Sequence, residues 1–126
     1  MKLRTAWRTS QRCRRLATTP RAAAVRIGTT IHPSDTHTST VVGPIHGLGD
    51  TYRGWEDIAY YMHARLPNTK FILPDAPVTA VTMNGGFPMP SWYDLTGSGS
   101  RFEEACEGLD NSCAAITALI LSLIHI

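Results

Sequence analysis

A short glycine-containing segment, set between an apolar run and an amphipathic one, most constrains what this chain can fold into. The apolar run Thr40-Val41-Val42 leads into the segment, and amphipathic spacing begins near Trp55. The segment itself reads Pro44-Ile45-His46-Gly47-Leu48-Gly49-Asp50. This order predicts a strand, a tight loop and a helix, in which glycine lets the backbone turn sharply and approach a ligand closely. Because α/β sheets bind ligands between a strand end and a helix start, the sequence predicts an α/β fold with a binding loop at residues 46–50.

The strand before this loop is interrupted by Gly43-Pro44. Residues 39–45 should form a buried parallel strand, but proline lacks the N–H that a central strand donates. Either the strand ends at Val42 with a bulge before His46, or the sequence of this segment is itself in error.

Apolar spacing predicts a helix and a second strand after the loop. The helix covers residues 54–66, and Phe71-Ile72-Leu73, closed by Pro74, predicts a second buried strand. The apolar stripe of the helix consists of Trp55, Ile58, Ala59, Met62 and Leu66. Residues 74–99 lack periodicity and are predicted to be one long loop, and a loop of that length in a compact domain is usually functional.

A second helix is predicted over residues 101–121. Ser100 and Glu103 form a capping box at its start. Its apolar stripe consists of Phe102, Ala105, Cys106, Leu109, Cys113, Ile116 and Ile120. Cys106 and Cys113 lie on that stripe, so both are predicted to be inert core thiols.

Residues 1–30 differ from the rest of the chain in charge. They contain eight of the 12 Lys and Arg residues and no Asp or Glu, whereas residues 31–126 hold four basic and all ten acidic residues. An Arg-rich, acid-free start is typical of a mitochondrial or plastid transit peptide. A disordered basic tail and a nucleic-acid-binding segment are the alternatives, and the acidic remainder disfavours nucleic acid as a partner. Two regions are therefore predicted, a basic presequence or tail at 1–30 and an α/β body at 31–126.

Cysteine, histidine and hydropathy patterns exclude further classes. Cys13, Cys106 and Cys113 form no C-x-x-C pair, and an odd count fits a reducing compartment. His32 and His37 have no supporting Cys or acid cluster, so no metal site is expected. No run reaches the ~18 apolar residues of a transmembrane segment.

A set of motifs in a fixed order resembles the acyl-protein thioesterases, the phospholipase/carboxylesterase group of α/β-hydrolases. The resemblance runs from about Thr40 to Ile120. The motifs are His46-Gly47-Leu48-Gly49-Asp50, Gly54-Trp55, Pro74-Asp75-Ala76-Pro77, Val81-Thr82-Met83-Asn84 and Met89-Pro90-Ser91-Trp92-Tyr93-Asp94. A lone H-G-x-G motif is weak evidence for this family because it occurs across α/β-hydrolases, whereas the ordered set of motifs is specific to the family.

The resemblance implies the N-terminal part of an α/β-hydrolase sheet and assigns roles to the loop. Leu48 would donate its backbone N–H to the oxyanion of the tetrahedral intermediate, the task that a loop after the third strand performs in this fold. His46, Gly47, Gly49 and Asp50 would support the loop. His46 would be structural and not the catalytic base; a buried histidine bonded to backbone is the nearly equivalent alternative. Trp55 is expected to anchor helix packing.

Side chains in the 74–99 region are candidates for substrate contact. Met83, Met89, Trp92 and Tyr93 match the part of the family that lies near the acyl-binding groove, and methionine gives an adaptable apolar surface. The alternative is that they simply cover the edge of the sheet.

The nucleophile of this family is not found in the sequence. No G-x-S-x-G segment occurs, and neither Ser98 nor Ser100 has glycines at both −2 and +2. The family order therefore places nucleophile, acid and base beyond Ile126, and Asp50, Asp75 and Asp94 are not triad members. The chain is predicted to be an inactive piece of the enzyme.

The expected enzyme is a cofactor-free Ser-His-Asp hydrolase. By resemblance its substrates are S-acylated proteins, lysophospholipids or other esters, and it is cytoplasmic, with mitochondrion or plastid as the alternative from the Arg-rich start. A non-catalytic truncated product or acyl-chain-binding fragment is the second hypothesis.

Overall fold

The computed structural model describes residues 25–97 and 106–124. A three-stranded sheet, a two-stranded hairpin and two helices make up this part of the chain. In chain order the elements are β1 (Arg26–Ile31), β2 (Ser39–Val42), α1 (Arg53–His63), β3 (Thr69–Asp75), β4 (Val78–Val81), a 3₁₀ turn (Thr82–Asn84), β5 (Phe87–Pro90) and α2 (Leu109–Ile124). Within these residues neither helix has the length and apolar character that crossing a bilayer requires.

The main sheet is built around β3. Its order is β1-β3-β2, with β2 parallel and β1 antiparallel to the central strand. A strand with neighbours on both edges and cover on its face reads as a continuous apolar run. Phe71, Ile72 and Leu73 are accordingly at most 2% exposed. They form the centre of the core, and the prediction of a buried strand here is confirmed.

Helix α1 covers one face of this sheet. Ala59 is completely buried, and Tyr52, Trp55 and Met62 pack against the cluster formed by the sheet side chains. Glu56 lies in the first turn, where a carboxylate stabilises the helix dipole. The helix predicted over residues 54–66 is confirmed, but it ends at His63, and Ile58 and Leu66 of its predicted stripe are exposed. Trp55 is a packing residue as expected.

The chain leaves β2 at the predicted place. The strand ends at Val42, and its pairing with β3 is unbroken, so the expected bulge does not occur. The Gly43 N–H adds one further bond to the Ile72 carbonyl at 2.8 Å. The peptide Gly43-Pro44 is cis, and Gly43 has a φ of +131°. Because this φ favours glycine, the residue that interrupts the strand is also the one suited to turn the chain.

The boundary predicted after residue 30 is wrong. Arg26–Ile31 forms β1, paired with β3 from Arg26 opposite Asp75 to Ile31 opposite Phe71. Net charge suggested a tail here, but a single arginine at an exposed strand end does not prevent sheet pairing. Residues 1–24 lie outside the described residues, and the presequence there stays a prediction.

The stretch 74–99 is not a structureless loop. Strands β4 and β5 form an antiparallel hairpin whose tip contains Gly85 and Gly86, both with positive φ. Pro88 and Pro90 lie within β5, and these prolines are the reason that the sequence did not predict a strand here. Proline is tolerated in strands whose N–H side is free of pairing, and a two-stranded ribbon offers such edges.

The second helix begins later than predicted and buries a different face. It spans Leu109–Ile124, and Ala115 is its buried residue. Cys113 is exposed and Cys106 is half-buried before the helix, so the prediction of a core thiol is wrong for Cys113. Apolar residues occur on several sides of this helix, interrupted by Asp110, Asn111, Ser112, Thr117 and Ser122, so spacing alone does not define its buried face. The predicted capping box lies outside the described residues.

Candidate active site

The loop singled out from the sequence connects β2 to α1. Its turn is made at Gly49, which has a φ of +74°. The Asp50 N–H bonds the Gly47 carbonyl at 3.3 Å, and the Asp50 carboxylate accepts the Thr51 N–H at 2.7 Å. A Cβ at Gly54 would overlap the Asp50 carboxylate, so helix and loop approach closely there. The strand, loop and helix predicted from the sequence therefore occur in that order.

Gly47 does not constrain the loop sterically. A Cβ at this position would meet no atom within 4 Å, and Gly47 is not among the glycines with positive φ. Gly49 has the left-handed φ, and a Cβ there would lie 3.8 Å from the Met89 sulfur. The backbone geometry of the loop therefore depends on Gly49 rather than on Gly47.

His46 is buried and bonded to backbone through both ring nitrogens. Its Nε2 accepts the Ala76 N–H at 3.0 Å, and its Nδ1 lies 2.8 Å from the Gly47 carbonyl oxygen. Since Nε2 is an acceptor, Nδ1 carries the proton and donates. With both nitrogens occupied and 2% exposure, the ring has no position free for a substrate.

The Leu48 backbone N–H lies in the loop between the buried His46 and the turn at Gly49. Among residues 25–97 and 106–124 no acceptor is bonded to it, and Leu48 is 37% exposed. An unpaired main-chain donor on an exposed loop can receive a ligand oxygen without breaking a bond within the protein.

Asp75 joins the loop to the end of β3. Its Oδ1 accepts the Tyr52 N–H at 2.7 Å and lies 3.6 Å from His46 Nε2. Tyr52 is the residue from which α1 starts, so the carboxylate satisfies a donor that the helix leaves unpaired. Asp75 therefore lies at the start of α1. It does not orient a histidine for proton transfer, because His46 Nε2 already accepts the Ala76 N–H.

Two of the predicted substrate-contact residues lie against the loop. Met89 is next to Gly49, and the Trp92 indole N–H donates to the His46 carbonyl at 2.9 Å. The Trp92 ring also contacts the His46 ring, with centroids 5.4 Å apart.

The other two lie elsewhere. Met83 is in the 3₁₀ turn and packs beside Gly97. Tyr93 and Trp92 line a cavity of about 330 Å³ between β4, the residue 91–94 segment and the start of α2. Met89 and Trp92 therefore lie at the loop, Trp92 and Tyr93 line the cavity, and Met83 lies at the 3₁₀ turn.

Asp94 fixes the hairpin onto this segment. It accepts the Thr82 hydroxyl at 2.6 Å and the Thr82 N–H at 2.8 Å. These bonds, the hydroxyl first, hold the pKa of Asp94 below its usual value because they favour the ionised carboxylate.

Contacts from Pro90 and Ser112 were missed in the sequence. The Pro90 carbonyl accepts the Gly49 N–H at 2.8 Å, and the Ser112 hydroxyl donates to the Trp92 carbonyl. Pro90 belongs to the motif that resembles the family, which is the one signal that pointed to it. Ser112 has no sequence signal of its own.

Comparison with known proteins supports the family read from the motifs. The profile of the phospholipase/carboxylesterase family matches residues 26–125. Acyl-protein thioesterase 1 homolog 1 of Dictyostelium discoideum is 43% identical over 86 residues, which cover 68% of this chain and 38% of that protein. Acyl-protein thioesterase 1 of Cryptococcus neoformans is 46% identical over 65 residues, 52% of this chain and 27% of that protein. The chain thus spans well under half the length of these relatives.

Solved structures agree with the sequence relatives. Acyl-protein thioesterase 2 of Zea mays matches with a TM-score of 0.61 and 33% identity over 72% of this chain and 38% of that one. Arabidopsis thaliana SOBER1 matches with a TM-score of 0.57 and 26% identity, over 71% of this chain and 43% of that one. The sheet and helices described above are part of an α/β-hydrolase fold, and the predicted resemblance to acyl-protein thioesterases is confirmed. The chain belongs to the phospholipase/carboxylesterase family of hydrolases.

Proposed function

We propose that the protein is a serine hydrolase acting on thioester or carboxylic ester bonds, and that this segment contributes one half of its oxyanion hole. The observation that carries the proposal is the Leu48 N–H, which has no acceptor among the described residues and lies on the exposed loop between β2 and α1. Ester and thioester hydrolysis passes through a tetrahedral oxyanion, which main-chain donors stabilise. His46, Gly49, Asp50 and the carbonyl of Gly47 support the loop and do not react.

The other half of the site belongs to residues that these 126 positions do not supply. In α/β-hydrolases the second oxyanion donor is the residue after the nucleophile, within a G-x-S-x-G turn. The sequence contains no such turn. These 126 residues alone are therefore proposed to be inactive.

S-acylated proteins are the proposed substrates, with lysophospholipids and other esters as the further class. Support comes from the relatives, which are named acyl-protein thioesterases, and from apolar groups near the loop. Leu48 is 37% exposed, and Met89 lies beside Gly49. Both offer flexible apolar surface to an acyl chain.

A chimera tests the proposal directly. Residues 26–124 replace the matching part of the maize acyl-protein thioesterase 2, and hydrolysis of an S-palmitoylated peptide is measured. Leu48→Pro deletes the N–H, and Leu48→Ala keeps it. Loss of one oxyanion donor lowers kcat by about 10²–10³-fold. We expect that loss for Leu48→Pro and less than about a fivefold change for Leu48→Ala, where only a side chain is shortened.

The two variants separate a main-chain role from a side-chain role. Circular dichroism and thermal melting establish that the Leu48→Pro chimera is folded. Equal activity of folded Leu48→Pro and the parent chimera would remove Leu48 from the oxyanion hole.

Binding of acyl chains without catalysis is the second candidate. Met83 is 48% and Phe87 66% exposed, an unusual pair of apolar groups on a hairpin tip. Titration of the 126-residue chain with a fluorescent palmitoyl analogue tests it. Saturable binding that Phe87→Ser weakens supports this role, whereas no binding leaves the hydrolase proposal alone.

A further inference from the structure

The segment Pro90-Ser91-Trp92 holds the loop at two points. The Pro90 carbonyl accepts the Gly49 N–H at 2.8 Å, and the Trp92 indole N–H donates to the His46 carbonyl at 2.9 Å. The two anchor residues of the loop flank Gly47 and Leu48. The orientation of the Leu48 N–H is therefore limited from both sides.

This segment is itself firmly anchored. Ser91 is 2% exposed; its N–H bonds the Pro77 carbonyl at 3.0 Å, and its hydroxyl donates to the Tyr93 carbonyl at 2.5 Å. The Ser112 hydroxyl of α2 donates to the Trp92 carbonyl. The segment Pro90-Ser91-Trp92 can limit the motion of the loop only when its own backbone is fixed. These bonds fix that backbone.

The His46 side chain adds a third restraint. Its ring is bonded to Ala76 and Gly47, and it contacts the Trp92 ring at 5.4 Å. The indole therefore meets His46 at both its carbonyl and its imidazole.

We propose that Trp92 is a positioning residue for the oxyanion loop, and that Ser112 links this position to α2. The proposal rests on the proposed role of Leu48. It differs from the sequence-based expectation that Trp92 contacts the acyl chain, because the indole N–H is used within the protein. A positioning role affects the transition state, whereas an acyl contact affects binding of the substrate.

The order of the loop is measured first, in the complete 126-residue chain. Backbone ¹⁵N relaxation gives the order parameter of the Leu48 amide, which is about 0.85 for rigid backbone and below about 0.6 for flexible backbone. Hydrogen exchange of the Gly49 amide reports the bond to Pro90. Trp92→Phe keeps an aromatic ring but removes the donor, and Trp55→Phe is the matched control, since Trp55 packs on the core.

We expect Trp92→Phe to lower the Leu48 order parameter and to speed Gly49 exchange about five- to tenfold, the effect of losing one hydrogen bond. Amides of Phe71, Ile72 and Leu73 should keep their protection, because the core is not altered. Ser112→Ala should give a smaller change in the same direction, and Ser112→Thr should restore the parent values. Unchanged loop order in Trp92→Phe, or an equal rise of exchange in β3, would overturn the proposal.

Activity in the maize chimera is the second readout. A positioning role predicts that Trp92→Phe lowers kcat about tenfold for both acetyl and palmitoyl thioesters with KM unchanged. A selective rise of KM for the palmitoyl substrate would instead identify an acyl contact and refute positioning. If the parent chimera is inactive, the proposed function fails, and the loop order measured in the 126-residue chain still decides the role of Trp92.

Discussion

The Nε2 atom of His46 accepts a hydrogen bond of 3.0 Å from the N–H of Ala76, which joins the loop after β2 to the chain just after β3. His46 is 2% and Ala76 6% exposed, so no solvent replaces this acceptor. A buried donor left without a partner costs about 1–3 kcal/mol.

His46→Ala should therefore lower the free energy of unfolding by about 1–3 kcal/mol. Urea denaturation followed by tryptophan fluorescence measures it. His37→Ala is the matched control, because His37 is exposed and is bonded to the exposed Thr40 hydroxyl rather than to a buried backbone group. The control should lie within about 0.5 kcal/mol of the parent. Equal stability of both variants would mean that the Ala76 N–H finds another acceptor.

Asp75 gives a second test of the same junction. Asp75→Ala removes the acceptor of the Tyr52 N–H and should cost about 1–3 kcal/mol. Asp75→Asn keeps one oxygen acceptor and should cost less. Asp35→Ala, at an exposed loop position, serves as the control. The order expected in urea denaturation is Asp75→Ala least stable, then Asp75→Asn, then Asp35→Ala. An Asn variant as unstable as the Ala variant would show that charge and not the bond to Tyr52 matters.

The two glycines of the loop should respond differently to alanine. Gly49 has a φ of +74°, and a non-glycine residue in that region costs about 1–2 kcal/mol. Gly47 has open space around its Cβ position. Gly49→Ala should lose that amount of stability, and Gly47→Ala should change it by no more than about 0.5 kcal/mol. A larger loss for Gly47→Ala in thermal or urea unfolding would contradict the loop geometry.

Much of the site's local structure could be predicted because it depends on neighbours in sequence. The strand end at Val42, helix α1 and the buried run at residues 71–73 follow from apolar spacing and from proline. The hairpin was missed because Pro88 and Pro90 suppress the strand signal. Strand β1 was missed because Arg26 was counted with the basic tail.

The hydrogen bonds that hold the loop in place could not be predicted from the sequence, and the reason is different. The bond from Trp92 to His46 joins residues 46 apart, and the bond from Ser112 to Trp92 joins residues 20 apart. Neither has a local periodicity, since both depend on how the hairpin and α2 pack. Exposure of Cys113 was missed because α2 has apolar residues on several sides, so tertiary contacts decide which face is buried.

Asp94 should make the folding stability of the chain fall at acid pH. Its folded pKa is lowered by Thr82, whereas the unfolded pKa is about 3.9. Its contribution is therefore complete above the unfolded value and is lost as pH falls through the lower folded value. Thr82→Ala removes the hydroxyl bond but keeps the N–H bond, so the pKa of Asp94 should rise towards the unfolded value. NMR titration of the carboxyl carbon measures it.

Thr38→Ala is the control for that titration. Thr38 bonds the Asn68 carbonyl in a different loop, so the Asp94 titration should stay as in the parent chain. An unchanged Asp94 curve in Thr82→Ala would show that the hydroxyl does not cause the shift.

The serines of this chain are expected to be unreactive. Ser34 gives the strictest test of that expectation, because it lies next to a histidine. The Ser34 hydroxyl lies 3.0 Å from His63 Nε2, the separation of a nucleophile and its base. His63 Nδ1 is buried, and within the described residues it has no hydrogen-bond partner. An active pair needs a third group that orients the imidazole, so Ser34 should not be activated. The hydroxyls of Ser91 and Ser112 each donate to a backbone carbonyl.

The 126-residue chain should therefore neither hydrolyse p-nitrophenyl acetate above the buffer rate nor react with a fluorophosphonate probe of activated serines. Without an activated nucleophile no acyl-enzyme forms, whatever the oxyanion loop provides. The maize chimera is the positive control, because it adds the rest of a hydrolase to the same segment. Ser34→Ala separates the Ser34–His63 pair from every other serine. Stoichiometric labelling that Ser34→Ala abolishes would identify an active site distinct from the loop, and labelling that persists in this variant would place a nucleophile elsewhere in the chain.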